Sequence, residues 1–216
     1  MRILPIAAAT LLAASLPAQA PASGSVKGHL TTTARLRTRG AQSQAEMVLY
    51  LVPTKKVATT GKGKTATVNQ KKLQFSPRVL PVQTGTRVTF LNGDKVTHNV
   101  FIDTDCCKLD VDMETGKKKE HTFDKAGCFP IVCRLHPEMT MTVVAIDSPF
   151  FTATKWKKSR KKNADGKKFY RAEFEIADVP AGKYVLRSWN KKFDSLQHEV
   201  VVVNGKAAQV ELDLGK

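Results

Sequence analysis

The sequence predicts an all-β protein. Three observations carry this. Gly, Pro, Thr and Val recur along the whole chain. Apolar residues alternate with polar ones in short runs bounded by turn residues, as strands require. No long stretch repeats its apolar residues at helical spacing. At 216 residues the chain can hold one large or two small domains. Its 35 Lys and Arg against 19 Asp and Glu give a net charge of +16.

Residues 1–22 read as an export signal. Arg2 is the positive start, Ile3 to Leu16 is a short apolar run, and small residues follow, with cleavage expected after Ala22. The apolar run is too short for a spanning helix of about 20 residues. No later segment offers a transmembrane span, so the mature chain is expected in the periplasm, secreted or at the cell envelope. Residues 24–30 (Gly24-Ser25-Val26-Lys27-Gly28-His29-Leu30) alternate as a strand, and Met47-Val48-Leu49-Tyr50-Leu51-Val52 is a denser strand. His29 reads as a surface or satisfied polar group. Residues 55–72, rich in Lys, Thr and Gly, read as a linker. Phe75 and Val79-Leu80-Pro81-Val82 then start a strand, Thr84-Gly85-Thr86 turns, and Arg87-Val88-Thr89-Phe90-Leu91 alternates before the turn Asn92-Gly93-Asp94.

The stretch from His98 to Met141 carries the chemistry. It opens with Thr97-His98-Asn99-Val100-Phe101 and ends with Cys133-Arg134-Leu135-His136-Pro137-Glu138-Met139. Two imidazoles, one thiolate and one thioether are the donors of a blue-copper site: His98, Cys133 and His136 in a plane, with a weak axial Met139. A thiolate and two imidazoles hold both Cu(I) and Cu(II) with little rearrangement. Cys133 would end a strand, a tight loop would return His136 over the metal, and His98 would arrive from another strand. Asn99 and Pro137, each next to a ligand, are placed to support the loops. A binuclear site needs a C-x3-C pair, whereas Cys128 and Cys133 are spaced C-x4-C. A zinc finger needs a second close Cys/His pair, and none fits.

These residues resemble the cupredoxin family, and the C-x2-H-x2-M spacing is most similar to that of amicyanin. Val-x-x-Gly-x-x-Val-x-Phe-x-Asn from Val82 to Asn92, followed by His98-Asn99-Val100, extends the resemblance. It implies one type 1 copper ion in a Greek-key β-sandwich over residues 73–147. Met141 would also fit the longer plastocyanin-like spacing, but it falls where the amicyanin pattern has Gly, so the resemblance favours Met139. The family's usual Ser or Thr after the ligand Cys is Arg134 here.

Three further cysteines, Cys106, Cys107 and Cys128, lie between or near the ligands. In an exported chain a disulfide is expected. Cys128 with Cys106 or Cys107 is the first pairing and a vicinal Cys106–Cys107 bond the second. A second metal site from Cys106, Cys107, Cys128 and His121 is a further alternative. Lys117-Lys118-Lys119 reads as a solvated turn.

Residues 148–216 begin with Phe150-Phe151 and then a strongly basic loop, 155–168, with eight Lys or Arg. Nucleic acid is not expected as a partner, because no aromatic platform is interleaved beyond Trp156. Solvation is the bland reading of this charge. Docking to an acidic redox partner or an anionic envelope polymer is the functional one. Phe174-x-Ile176-x-x-Val179-Pro180-x-Gly182-x-Tyr184-x-Leu186 resembles the carboxypeptidase regulatory-like (transthyretin-like) β-sandwich, whose early strands match residues 24–30 and 47–52. The implied architecture is an insertion, with the cupredoxin unit set into a second, smaller sandwich made from 23–54 and 148–216. Where relatives have His after Trp189, this chain has Asn190.

Three functions follow from these expectations. The first is a one-electron carrier between redox partners, with His136 on the rim as the exit route and the chain a monomer. The second is periplasmic copper binding and delivery. The third is a cell-envelope interaction protein with a secondary copper site. Enzyme activity is not expected, because the remaining His29, His121 and His198 are scattered.

Overall fold

The chain is described by a computed structural model, in which residues 23–37, 43–55 and 61–215 are described. The export signal expected at 1–22 lies outside them. Among the described residues all regular structure is β. Two strands come first, β1 (Ser23–Thr32) and β2 (Glu46–Pro53). Nine follow: β3 (Thr65–Gln70), β4 (Phe75–Ser76), β5 (Val79–Gln83), β6 (Thr86–Asn92), β7 (His98–Thr104), β8 (Cys107–Met113), β9 (Lys118–Phe123), β10 (Gly127–Cys133) and β11 (His136–Ile146). The last six are β12 (Phe151–Lys155), β13 (Lys157–Lys162), β14 (Lys168–Pro180), β15 (Gly182–Trp189), β16 (Gln197–Val202) and β17 (Ala207–Asp213).

The nine middle strands make two sheets, ordered β5-β11-β10-β7-β8 and β4-β3-β6-β9. Their facing side chains alternate inward with period two. Val88 and Phe90 from β6, Val100 and Ile102 from β7, Phe129 and Ile131 from β10, and Met139, Met141 and Val143 from β11 form one core. The other strands make sheets ordered β13-β14-β1-β17 and β12-β2-β15-β16. They enclose a second core with Val26, Leu30, Met47, Leu49, Leu51, Trp156, Ile176 and Leu186. Fully burying one such Leu or Val stabilises by about 1.5–3 kcal/mol. Gly28 in β1 is required by close approach, since a Cβ there would collide with the Val210 backbone of β17.

Two strands are apolar on both faces, and this joins the sandwiches. Along β2, Met47, Leu49 and Leu51 point into the second core, while Val48 points out. Along β11, Met141 and Val143 point into the first core, while Val144 and Ile146 point out. Val48, Val79, Val144 and Ile146 meet in a third cluster, flanked by Tyr50, Phe151 and Trp189. A strand covered on both sides reads as a continuous apolar run, which is how both appear in the sequence.

Two expectations need correction. The segment 55–72 is not only a linker, because β3 lies within it and pairs in parallel with β6 from Thr65↔Arg87 to Gln70↔Asn92. Its inward positions are Ala66, Val68 and Gln70, too weak an apolar pattern to stand out. The basic loop 155–168 is a hairpin: β13 pairs antiparallel with β14 from Lys157↔Arg171 to Lys162↔Lys168. Its lysines mark an edge strand, where charge blocks pairing with another chain. Trp156 is buried beside Phe193 in the second core.

Candidate metal centre

The first sandwich brings three of the expected ligands together at one end. His98 is the first residue of β7, Cys133 the last of β10 and His136 the first of β11. Arg134 and Leu135 form the turn between the last two, and Cys133 pairs with His136 across it. The register changes between Val132↔Thr140 and Cys133↔His136, leaving Pro137, Glu138 and Met139 without partners on β10. That bulge contains buried Met139, two residues nearer the turn than Met141, which sits opposite Ile131. Pro137 is exposed beside His136.

The donor atoms converge. A nitrogen or sulfur from each of His98, Cys133 and His136 lies within 4.8 Å of the others. His136 Nδ1 is 3.2 Å from His98 Nδ1 and 3.6 Å from Cys133 Sγ. His98 and Cys133 are buried, and His136 is half-buried. Three soft or borderline donors converge closely enough for a single soft cation to bridge all of them. The set of imidazoles and thiolate therefore fits copper.

The surroundings fix the donors. Asp94 Oδ2 lies 3.1 Å from His98 Nε2 and accepts a hydrogen bond from that nitrogen, which leaves the Nδ1 lone pair facing His136. The Leu73 amide donates to the same carboxylate at 3.0 Å. That amide first, and His98 second, hold the Asp94 carboxyl below the usual carboxylate range. Asn92 shapes the intervening loop by donating to Val96 O at 2.8 Å and Met113 O at 2.7 Å.

Asn99 has two tasks. Its backbone amide donates to Cys133 Sγ at 3.3 Å. Its side-chain amide donates to Asp110 at 2.9 Å and Asp112 at 2.8 Å, and its oxygen accepts the Arg134 amide at 3.4 Å. Arg134, standing where a Ser or Thr is usual, pairs with Asp110 and lies over the Phe101 ring. So the support of the thiolate is built from β7, β8 and the turn. Sequence reasoning missed Asp94, Asn92, Asp110 and Asp112. The Asn92-Gly93-Asp94 turn was visible, but which side chain it aimed at His98 was not.

The expected disulfides are absent: Cys106, Cys107, Cys128 and Cys133 are all free thiols. The physical reason at Cys107 is a different partner, since its sulfur lies 3.1 Å from His121 Nε2. Cys106 and Cys128 are exposed.

Five large hydrophobic residues are exposed among the described residues, and three of them border this site. Leu135 adjoins His136, Val96 lies two residues before His98, and Leu73 donates to Asp94. The half-buried His136 is thus flanked by exposed Leu135 and Pro137.

Residues 62–146 match the copper binding proteins of the plastocyanin/azurin family. Among solved structures, a purple cupredoxin from Nitrosopumilus maritimus is 26% identical, with 38% of this chain and 99% of that chain covered and a TM-score of 0.34. A copper-containing nitrite reductase from Thermus scotoductus SA-01 is 22% identical, covering 44% of this chain and 25% of that one, with a TM-score of 0.37. A reduced amicyanin variant is 21% identical, covering 45% and 99%, with a TM-score of 0.36. No curated protein matches the chain. The His98–Cys133–His136 donor set lies inside this matched segment, and copper is the metal that the match and the donors support.

Proposed function

We propose that the chain is an exported one-electron carrier with a single type 1 copper site, held by His98, Cys133 and His136 with Met139 as axial donor. The observation that carries this reading is the position of His136. Its Nδ1 faces the other donors while its ring is half-buried beside exposed Leu135 and Pro137. Copper bound there supplies a reversible one-electron couple. The chain's residues do the rest. Asp94 holds His98 in one tautomer, and the Asn99 amide stabilises negative charge on Cys133. The bulge at 137–139 supports Met139 over Met141 as the axial donor, because Met139 is buried on the turn side of the ladder whereas Met141 is paired with Ile131 further along it.

In this reading residues 1–22 are the export leader, and the chain works as a monomer in the periplasm or cell envelope. Residues 23–54 and 148–216 form a carboxypeptidase regulatory-like sandwich that carries the copper unit through the Val48 cluster. The partner is a redox protein with an acidic surface, drawn by the net positive charge and seated on the apolar rim. A carrier rather than an enzyme is supported by the other histidines. His29 faces Glu211, His121 faces Cys107, and His198 lies on the edge strand β16.

A spectroelectrochemical titration of the copper-loaded protein tests this. Reversible bleaching and recovery over repeated cycles, with copper retained, is expected. Release of copper to a chelator on each reduction would favour delivery over electron transfer.

A further inference from the structure

A second cluster of soft donors lies outside the centre described above. Cys107 opens β8, the edge strand of one sheet, and His121 lies in β9, the edge strand of the other. The two edges face each other where the sandwich is open, and Cys107 Sγ stands 3.1 Å from His121 Nε2. Cys106 is adjacent and exposed, with its sulfur 4.0 Å from Thr104 Oγ1. His121 packs edge-on against Phe123 at 5.0 Å, and Phe123 against Phe129, so one side of the pair is a wall of aromatic rings.

We propose that Cys107, His121 and Cys106 form a Cu(I)-binding site separate from the His98–Cys133–His136 centre. Cys107 pairs with Thr104 at one end of the β7–β8 ladder and His98 with Met113 at the other, so the two sites are about 20 Å apart along the strands. Thiolate and imidazole donors select a soft monovalent ion. Two fixed donors plus one mobile thiol suit Cu(I), which accepts low coordination. A structural zinc ion asks for four protein ligands.

The chemistry of the pair is consistent with metal uptake. Burial first, and the neighbouring Cys106 second, push the Cys107 thiol above its usual range, so it is protonated at neutral pH. Burial lowers the affinity of His121 for protons, which keeps a neutral imidazole available. Metal binding therefore forms a Cys107 sulfur–copper bond and releases the thiol proton to solvent, with no change of oxidation state. Metal–sulfur and metal–nitrogen bonds of about 2.3 and 2.0 Å put the two donors roughly 3.5 Å apart at tetrahedral angles. The strands need to part by only a few tenths of an ångström. Cys106, on an exposed turn, can rotate in as the third donor.

The test is an anaerobic Cu(I) titration of the full reduced protein against a chromophoric Cu(I) chelator. The wild type is expected to bind one equivalent more than Cys107→Ser. Cys133→Ser should lose the other equivalent and keep this one. His121→Gln and Cys106→Ser should weaken the second equivalent at least about tenfold, without altering the visible spectrum of the Cu(II)-loaded main centre. These two substitutions spare the buried sulfur, so they remain informative if Cys107→Ser does not fold. A wild type that binds no more Cu(I) than Cys107→Ser overturns the proposal. So does a second equivalent that survives in both His121→Gln and Cys106→Ser, or a site that takes Zn(II) and refuses Cu(I). Failure of the main centre to bind copper leaves the expected Cys133→Ser result unchanged, so the two readings fail separately.

Discussion

Replacing Asn99 tests how the copper loop is held. Its side chain is buried and makes three hydrogen bonds, two of them to the carboxylates of Asp110 and Asp112. A bond to a charged group contributes about 1.5–3 kcal/mol, and a neutral one about 1 kcal/mol. Asp110 is 47% exposed, so the lower end applies to it. Asn99→Ala should therefore cost about 4 kcal/mol, a drop in Tm of roughly 8–16 °C for a protein of this size. Asn99→Asp should cost more. It removes the donor and sets a third carboxylate against two others, a like-charge contact worth several kcal/mol at short range near a surface. Urea unfolding of the apo-proteins reads both costs, and added salt should narrow the gap between the two variants. The reasoning is refuted if Asn99→Asp proves as stable as Asn99→Ala, or if Asn99→Ala moves the midpoint by less than about 0.5 kcal/mol equivalent.

Three further outcomes are expected. Asp94→Asn should weaken copper binding about 10- to 100-fold, because the Asp94–His98 contact no longer fixes the ligand tautomer; competition with a chelator measures it. Leu135→Glu should slow electron exchange with a partner protein while leaving the visible spectrum unchanged, since Leu135 is exposed on the rim and not among the donors; stopped-flow mixing reads the rate. Val48→Asp should place an unpaired charge between the sandwiches, costing at least about 3 kcal/mol. Unfolding should then separate into two steps, with the copper spectrum following only one of them.

Much of this molecule was legible in the sequence because its signals are local. The period-two alternation of Arg87 to Leu91 and the dense run of β2 gave the β class directly. The spacing of Cys133 and His136 is set by a two-residue turn, so it shows in the chain without any tertiary knowledge. What escaped depends on neighbours far along the chain. β3 is defined by its pairing with β6 and not by its own apolar residues. Asp110 and Asp112 matter only because β8 lies beside β7 and brings them to Asn99. The Lys-rich run after Trp156 looked like a loop because an edge strand carries no apolar stripe on its solvent side. The cysteines misled for a similar reason: the expectation of export makes a disulfide the natural reading, while the fold gives Cys107 an imidazole instead.

The central claim is that Cys133 binds copper as a thiolate beside His98 and His136. The most direct measurement is the visible absorption spectrum of the Cu(II)-loaded protein beside that of Cys133→Ser. The account predicts an intense thiolate-to-copper band in the native protein and its complete loss in the variant, with the fold retained. A native protein that takes up copper without such a band, or a variant that keeps it, would contradict the account.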